Sequence, residues 1–102
     1  MNVKFTLRAR QRARIITTWW RKHRPGSEHV FEQELEHVTS KLAAMSGESR
    51  IGIVFRETRR NTVWRVLMPK AEQWIYYAVD AASDMVVIRA IWGARRGRGP
   101  KL

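Results

Sequence analysis

Midway along this chain the spacing of its apolar residues changes period, and that change limits the folds it can adopt. Ala9, Ala13, Ile16 and Trp20 stand at i, i+4, i+7 and i+11, one stripe of a helix predicted from about Arg8 to His23. Phe31, Leu35, Val38, Leu42 and Met45 repeat the stripe at i, i+4, i+7, i+11 and i+14. Between the stripes lies "RPGS" (24–27), where Pro25 lacks a donor and Gly26 admits a reversal. Ser27 is the expected N-cap of the second helix and Gly47 its expected stop. Two amphipathic helices on so short a link pack antiparallel, so residues 8–46 read as a helical hairpin.

From Arg50 onward the period is near two. "TVWRVLM" (62–68), "QWIYYAVD" (73–80) and "MVVIRAIWG" (85–93) are rich in β-branched and aromatic residues, separated by "PKAE" and "AASD". They predict a meander of three strands, with "IGIVFRETRRN" (51–61) a strand in its first half and a loop in its second. "NVKFTL" (2–7) alternates Val3, Phe5 and Leu7 with polar residues and reads as a short half-buried strand. The fold class is therefore α+β: one domain over 1–102, in two layers. An N-terminal strand and a helical hairpin pack on a mainly antiparallel, twisted sheet of three to five strands. Tyr76 and Tyr77 should then face opposite sides of that sheet, one in the core and one free.

Charge is distributed unevenly. Residues 1–24 carry eight Lys or Arg and no acid, 25–49 carry five Glu against one Lys, and 50–102 carry eleven basic against four acidic groups, for a net +11. Such a field attracts nucleic acid and acidic proteins alike. With no cysteine there are no disulfides or thiolate zinc sites. The first ten residues lack the apolar core of a secretory signal, and the expected location is cytoplasmic. His29 and His37, eight residues apart, are not at ligand spacing, so no metal is expected. Gly97 and Gly99 do not make a phosphate loop, and no cofactor is expected. Arg8, Arg10, Arg12 and Arg14 read as solvated or paired with Glu32, Glu34 and Glu36.

The order of elements, with "WWRKHRP" (19–25), "FEQEL" (31–35), "RVLMPKAEQWIYYAVD" (65–80) and "VVIRAIWGARRGRGP" (86–100), resembles the RelE/ParE toxins of bacterial type II toxin–antitoxin systems. The resemblance implies a hairpin covering one sheet face, a working concave face opposite, and a cognate antitoxin. That partner's acidic or amphipathic segment would wrap the toxin in a hetero-oligomer, and Trp19, Trp20, Phe31, Leu35, Trp74 and Tyr76 are the residues expected to meet it. RelE-like members cleave messenger RNA on the ribosome, and a nuclease here would draw on Arg65, Tyr77, Arg95 and Arg96. ParE-like members are associated with DNA gyrase, and the target contact would then fall on Arg89, Arg95, Arg96, Arg98 and Lys101. Where the RNA-cutting branch places an arginine at the start of the third strand, this chain has Trp74. Its last residues, "GRGPKL", offer no Tyr or His. Arginine stays protonated and shuttles protons poorly, so the basic tail 94–102 is better suited to attraction than to acid–base work. The ParE-like branch is therefore the closer of the two, and a basic nucleic-acid-binding module without toxicity is the third alternative.

Overall fold

A computed structural model describes residues 1–102. The elements are β1 (Asn2–Phe5), α1 (Leu7–His23), α2 (Val30–Ala43), β2 (Ile53–Glu57), β3 (Thr62–Met68), β4 (Gln73–Asp80) and β5 (Met85–Gly93). Two helices thus lie on a five-stranded sheet of order β1-β5-β4-β3-β2. The sheet is mixed: β2 to β5 run antiparallel to their neighbours, while β1 joins the edge parallel to β5. Alternation along one strand shows that it pairs but not with which partner, so the parallel pairing of β1 is not legible in its sequence.

Helix α1 begins where Thr6, in extended conformation, accepts a hydrogen bond from the Ala9 amide through its hydroxyl at 3.2 Å. Leu7 is accordingly the first helical residue and 71% exposed, not the last inward residue of a strand. Arg21, Lys22 and His23 occupy the last turn, facing the negative end of the helix dipole. Ser27 does not cap α2. Its carbonyl accepts from Val30 in the preceding turn, and the N-cap position falls to His29, which makes no side-chain cap.

Both stripes pack on the sheet, although α2 ends at Ala43, so Met45 is buried from beyond the helix and Gly47 is not its stop. Ala9, Ile16, Phe31, Val38, Leu42 and Met45 are buried against Met68, Ile75, Tyr77, Val86, Ile88 and Ile91 from the inner face of the sheet. Leu35, Ala13 and Trp20 pack at the edge of this core. Tyr77 is fully buried there, its hydroxyl donating to the Ile51 carbonyl at 2.7 Å and accepting from the Ile51 amide at 3.1 Å. Burial raises the Tyr77 pKa above its ordinary value, opposed by the hydrogen bond to Ile51 and by Arg50. Tyr77 is thereby a clamp on the segment entering β2.

A carboxylate ties the two layers together at the other end. Glu34 on α2 accepts from the amides of Lys70 and Ala71 at 3.0 and 2.8 Å, fixing the turn between β3 and β4. Glu72, in that turn, has a φ of 57°, a left-handed conformation rare outside glycine. Its carbonyl accepts from the Ala94 amide at 2.9 Å, holding the turn against the exit of β5.

Candidate functional site

The sheet face turned away from the helices carries Val63, Arg65 and Leu67 on β3, Trp74 and Tyr76 on β4, and Ala90 and Trp92 on β5. Opposite Tyr76 and Tyr77 the β4–β5 register slips, so Arg89 is an extra residue between Ile88 and Ala90. Such a bulge bends the strand and re-aims nearby side chains. Arg65 is the direct cross-strand partner of Tyr76 and lays its guanidinium over Trp74, 4.1 Å from the ring centroid. Phe55 meets Tyr76 edge-on at 4.8 Å.

This face is not open. Residues 94–102 turn back across it as a strap. Trp92 Nε1 donates to the Arg98 carbonyl at 2.6 Å, Arg8 to the Lys101 carbonyl at 2.6 Å, and Arg56 to the Leu102 carbonyl at 2.7 Å. Pro100 is buried and Leu102 packs on the cluster of Val63, Tyr76 and Ala90. The strap passes closest at Gly99, where a Cβ would stand 2.6 Å from two Phe55 ring atoms and 3.3 Å from the Tyr76 hydroxyl. Beneath it the Tyr76 hydroxyl and Arg65 Nε are buried with no hydrogen-bond partner.

Gly99→Ala is expected to lift the strap while leaving the sheet intact, since overpacking of on the order of 1–3 kcal/mol falls on a segment outside the ladder. Limited trypsin digestion should cut among Arg95, Arg96 and Arg98 about tenfold faster than in the parent. An unchanged rate would mean that the strap is not seated on this face.

A second concavity lies between the C-terminal half of α1, the turn at 69–72 and the start of the strap. Its volume is about 650 Å³, and Arg12, Arg24, Lys70, Arg95 and Arg96 line it beside Ile15, Trp19 and Trp20. Glu72 is the one carboxylate there, and Arg95 engages both its oxygens, Nε to Oε2 and Nη2 to Oε1 at 2.9 Å each. Arg96 stacks on Trp92 at 4.3 Å. Arg12 is held below its ordinary pKa, first by burial and then by the neighbouring Arg96 guanidinium. It remains a cation at any physiological pH.

The structure changes several expectations. The nuclease set does not assemble: Arg65 is on the outer face, Tyr77 is locked into the helix-side core, and Arg95 and Arg96 line the cleft beside α1. Alternation does send Tyr76 and Tyr77 to opposite faces, yet both are fully buried because the strap covers the outer one. Phe31 and Tyr76, expected at a partner surface, are 0% exposed and hold neighbouring side chains instead. Trp19 remains available at 42% exposure, while Trp20, Leu35 and Trp74 are half-buried. Of the residues expected at a target, Arg95, Arg96, Arg98 and Lys101 are exposed and Arg89 is half-buried. Arg89 is on β5, and the other four sit on an anchored strap, not a free tail. Arg8, Arg10, Arg12 and Arg14 do not pair with the α2 glutamates: Glu32 takes Arg21 at 2.8 Å, and Glu34 takes the turn amides.

Sequence reasoning missed Arg12, Phe55 and Trp92. One signal was present for Arg12, since Arg8, Arg12, Ile15 and Trp19 form a second helical stripe at i, i+4, i+7 and i+11 that mixes cations with exposed apolar side chains. No group of His, Cys, Asp or Glu is placed to hold a metal ion, and no helix is long and apolar enough to cross a membrane. Comparison with family models, with curated proteins and with solved structures finds no match for this chain.

Proposed function

We propose that this chain is the toxin component of a bacterial type II toxin–antitoxin module, of the ParE-like kind, which inhibits growth by binding a macromolecular target and is neutralised by a cognate antitoxin. The observation that carries the proposal is the chemistry of the β5 exit. Arg95 is held by Glu72 and Arg96 by the Trp92 ring, while Tyr77, the proton carrier a nuclease would use beside them, is buried in the helix-side core with its hydroxyl committed to Ile51. Fixed guanidinium groups without a proton shuttle attract and orient a partner but do not move protons. The helical hairpin on one sheet face and the exposed Trp19, Ile15 and Leu7 along α1 further support a fold built around protein contacts. An acidic, amphipathic segment laid along α1 suits that charge and those apolar side chains.

DNA gyrase is the expected target. Purified chain added to gyrase and relaxed plasmid should block supercoiling or trap cleaved DNA, and the product of the adjacent reading frame should restore activity. Arg95→Glu/Arg96→Glu should abolish the effect. Unchanged supercoiling at excess protein would remove gyrase from the proposal.

A second reading, a RelE-like ribosome-dependent endoribonuclease, is favoured by one observation. Arg65 and Tyr76 are cross-strand neighbours, and each has a buried polar atom with no partner under the strap. If the strap lifts on the ribosome, these two would face a phosphodiester. New in-frame transcript 5′ ends after a brief pulse of expression, lost in Tyr76→Phe, would select this reading over the first.

A further inference from the structure

We infer that the cleft between α1 and the turn at 69–72 is a binding site for a short phosphate chain, gripped by Arg12 and Arg96 with Arg24 and Lys70 at its rim. The four cations come from three separate parts of the chain: α1, the β3–β4 turn and the start of the strap. Nothing in secondary structure requires them to converge. The fold brings them onto one concavity of about 650 Å³, within the range of small-molecule sites.

Inside it, positive charge is in excess and not balanced internally. Glu72 is spent on Arg95, and no other carboxylate lines the cavity. Arg12 is partly withdrawn from water and faces Arg96, an arrangement of like charges that a bound anion would relieve. Planar guanidinium groups present paired donors that match phosphate oxygens, and the ammonium of Lys70 adds a movable point charge. An adjoining cavity shares Arg12, Ile15 and Arg96 and adds Arg8, so the cationic wall continues past a single phosphate. That continuation favours a run of phosphates over orthophosphate.

The α1 wall is also apolar beside Arg12. Ile15 is 58% exposed and Trp19 42%, both on the same α1 stripe as Arg12. An aromatic or ribose group joined to the phosphates would cover them, so a nucleoside polyphosphate is the expected source and inorganic polyphosphate the bare form of the same chemistry. The site shares Arg96, Ile15 and Trp19 with the surfaces of the toxin proposal, but its test is independent of that proposal, since it uses the isolated chain without gyrase, ribosome or antitoxin.

Calorimetric titration of the full chain at physiological salt with ATP, tripolyphosphate and orthophosphate tests it, with tryptophan fluorescence as a second readout. ATP and tripolyphosphate should bind, and orthophosphate should bind at least about tenfold more weakly, having fewer charge-assisted hydrogen bonds to make. Tighter binding of ATP identifies a nucleotide as the source, and tighter tripolyphosphate identifies the inorganic chain; both uphold the site. Arg12→Gln/Arg96→Gln should lose at least about tenfold, while Arg59→Gln/Arg60→Gln, which removes the same charge at the exposed β2–β3 turn, should stay within about twofold. Should the first variant not fold, Arg24→Gln/Lys70→Gln on exposed side chains reads the same loss.

Three results would each overturn the assignment. Orthophosphate binding as tightly as tripolyphosphate removes the phosphate chain. Equal losses in the two charge-matched variants reduce the effect to net charge. A single-stranded oligonucleotide of equal phosphate count binding about ten times tighter than ATP and tripolyphosphate makes the cleft part of a nucleic-acid track.

Discussion

Gly52→Ala is expected to destabilise the whole fold by on the order of 4 kcal/mol, a large share of the roughly 5–15 kcal/mol that holds a domain of this size. Gly52 stands immediately before β2 with φ at +85°, a conformation that side chains rarely adopt. A Cβ there would lie 2.1 Å from the Arg65 carbonyl oxygen and 2.9 Å from its carbon. That carbonyl cannot retreat, because Arg65 is paired to Ile53 on one side and to Tyr76 on the other. The clash therefore leaves a choice between breaking the β2–β3 ladder and shifting β3 under its neighbours. With a urea m-value of about 2 kcal/mol/M, the unfolding midpoint should fall by about 2 M. A fall under about 0.5 M would mean that the chain does not approach β3 this closely.

Phe31→Ala should cost about 3–5 kcal/mol, the usual penalty for emptying a buried aromatic site. Phe31 is wholly enclosed among the residues that join α2 to the sheet. The measurement separates two roles that the resemblance alone runs together. If Phe31 is core, its replacement lowers the urea midpoint, and binding of any partner fails only as the fold fails. Trp19→Ala should behave the other way, changing the midpoint little and weakening partner binding directly, since its ring is 42% exposed. A Phe31 variant with full stability and no partner affinity would reverse this assignment.

The contrast between these two residues shows what could be read before any coordinates. Helical period alone places both Phe31 and the Ala9–Trp20 stripe against a second layer, and Pro25 with Gly26 correctly marks the end of the first helix, though not the start of the second. Period also sent Tyr76 and Tyr77 to opposite faces. What it could not say was whether the outer face is covered, because the cover is made of "GARRGRGPKL", a stretch with no apolar rhythm. The strap is anchored by carbonyls of Arg98, Lys101 and Leu102, acceptors that every residue possesses, and by donors from Trp92, Arg8 and Arg56 far away in sequence. Nothing local marks such a contact. The cleft was hidden for a related reason: Arg12 looks like any solvated helix arginine until the exit of β5 brings Arg96 beside it. Polar clusters assembled from distant segments are the least legible part of a sequence, and here they hold both candidate sites.

The pairing of β1 with β5 also has a consequence for synthesis. Asn2 to Phe5 find their hydrogen-bonding partners only at Met85 to Ile88, so the strand made first waits for the strand made last. Until then the nascent hairpin has emerged with its apolar stripes uncovered, and long-range pairing of this kind is slow to form. On the toxin reading proposed above, an antitoxin translated alongside would meet this chain in that half-built state, with the greasy side of α1 and α2 still bare. Neutralisation could then begin on the ribosome, before there is a finished molecule to restrain.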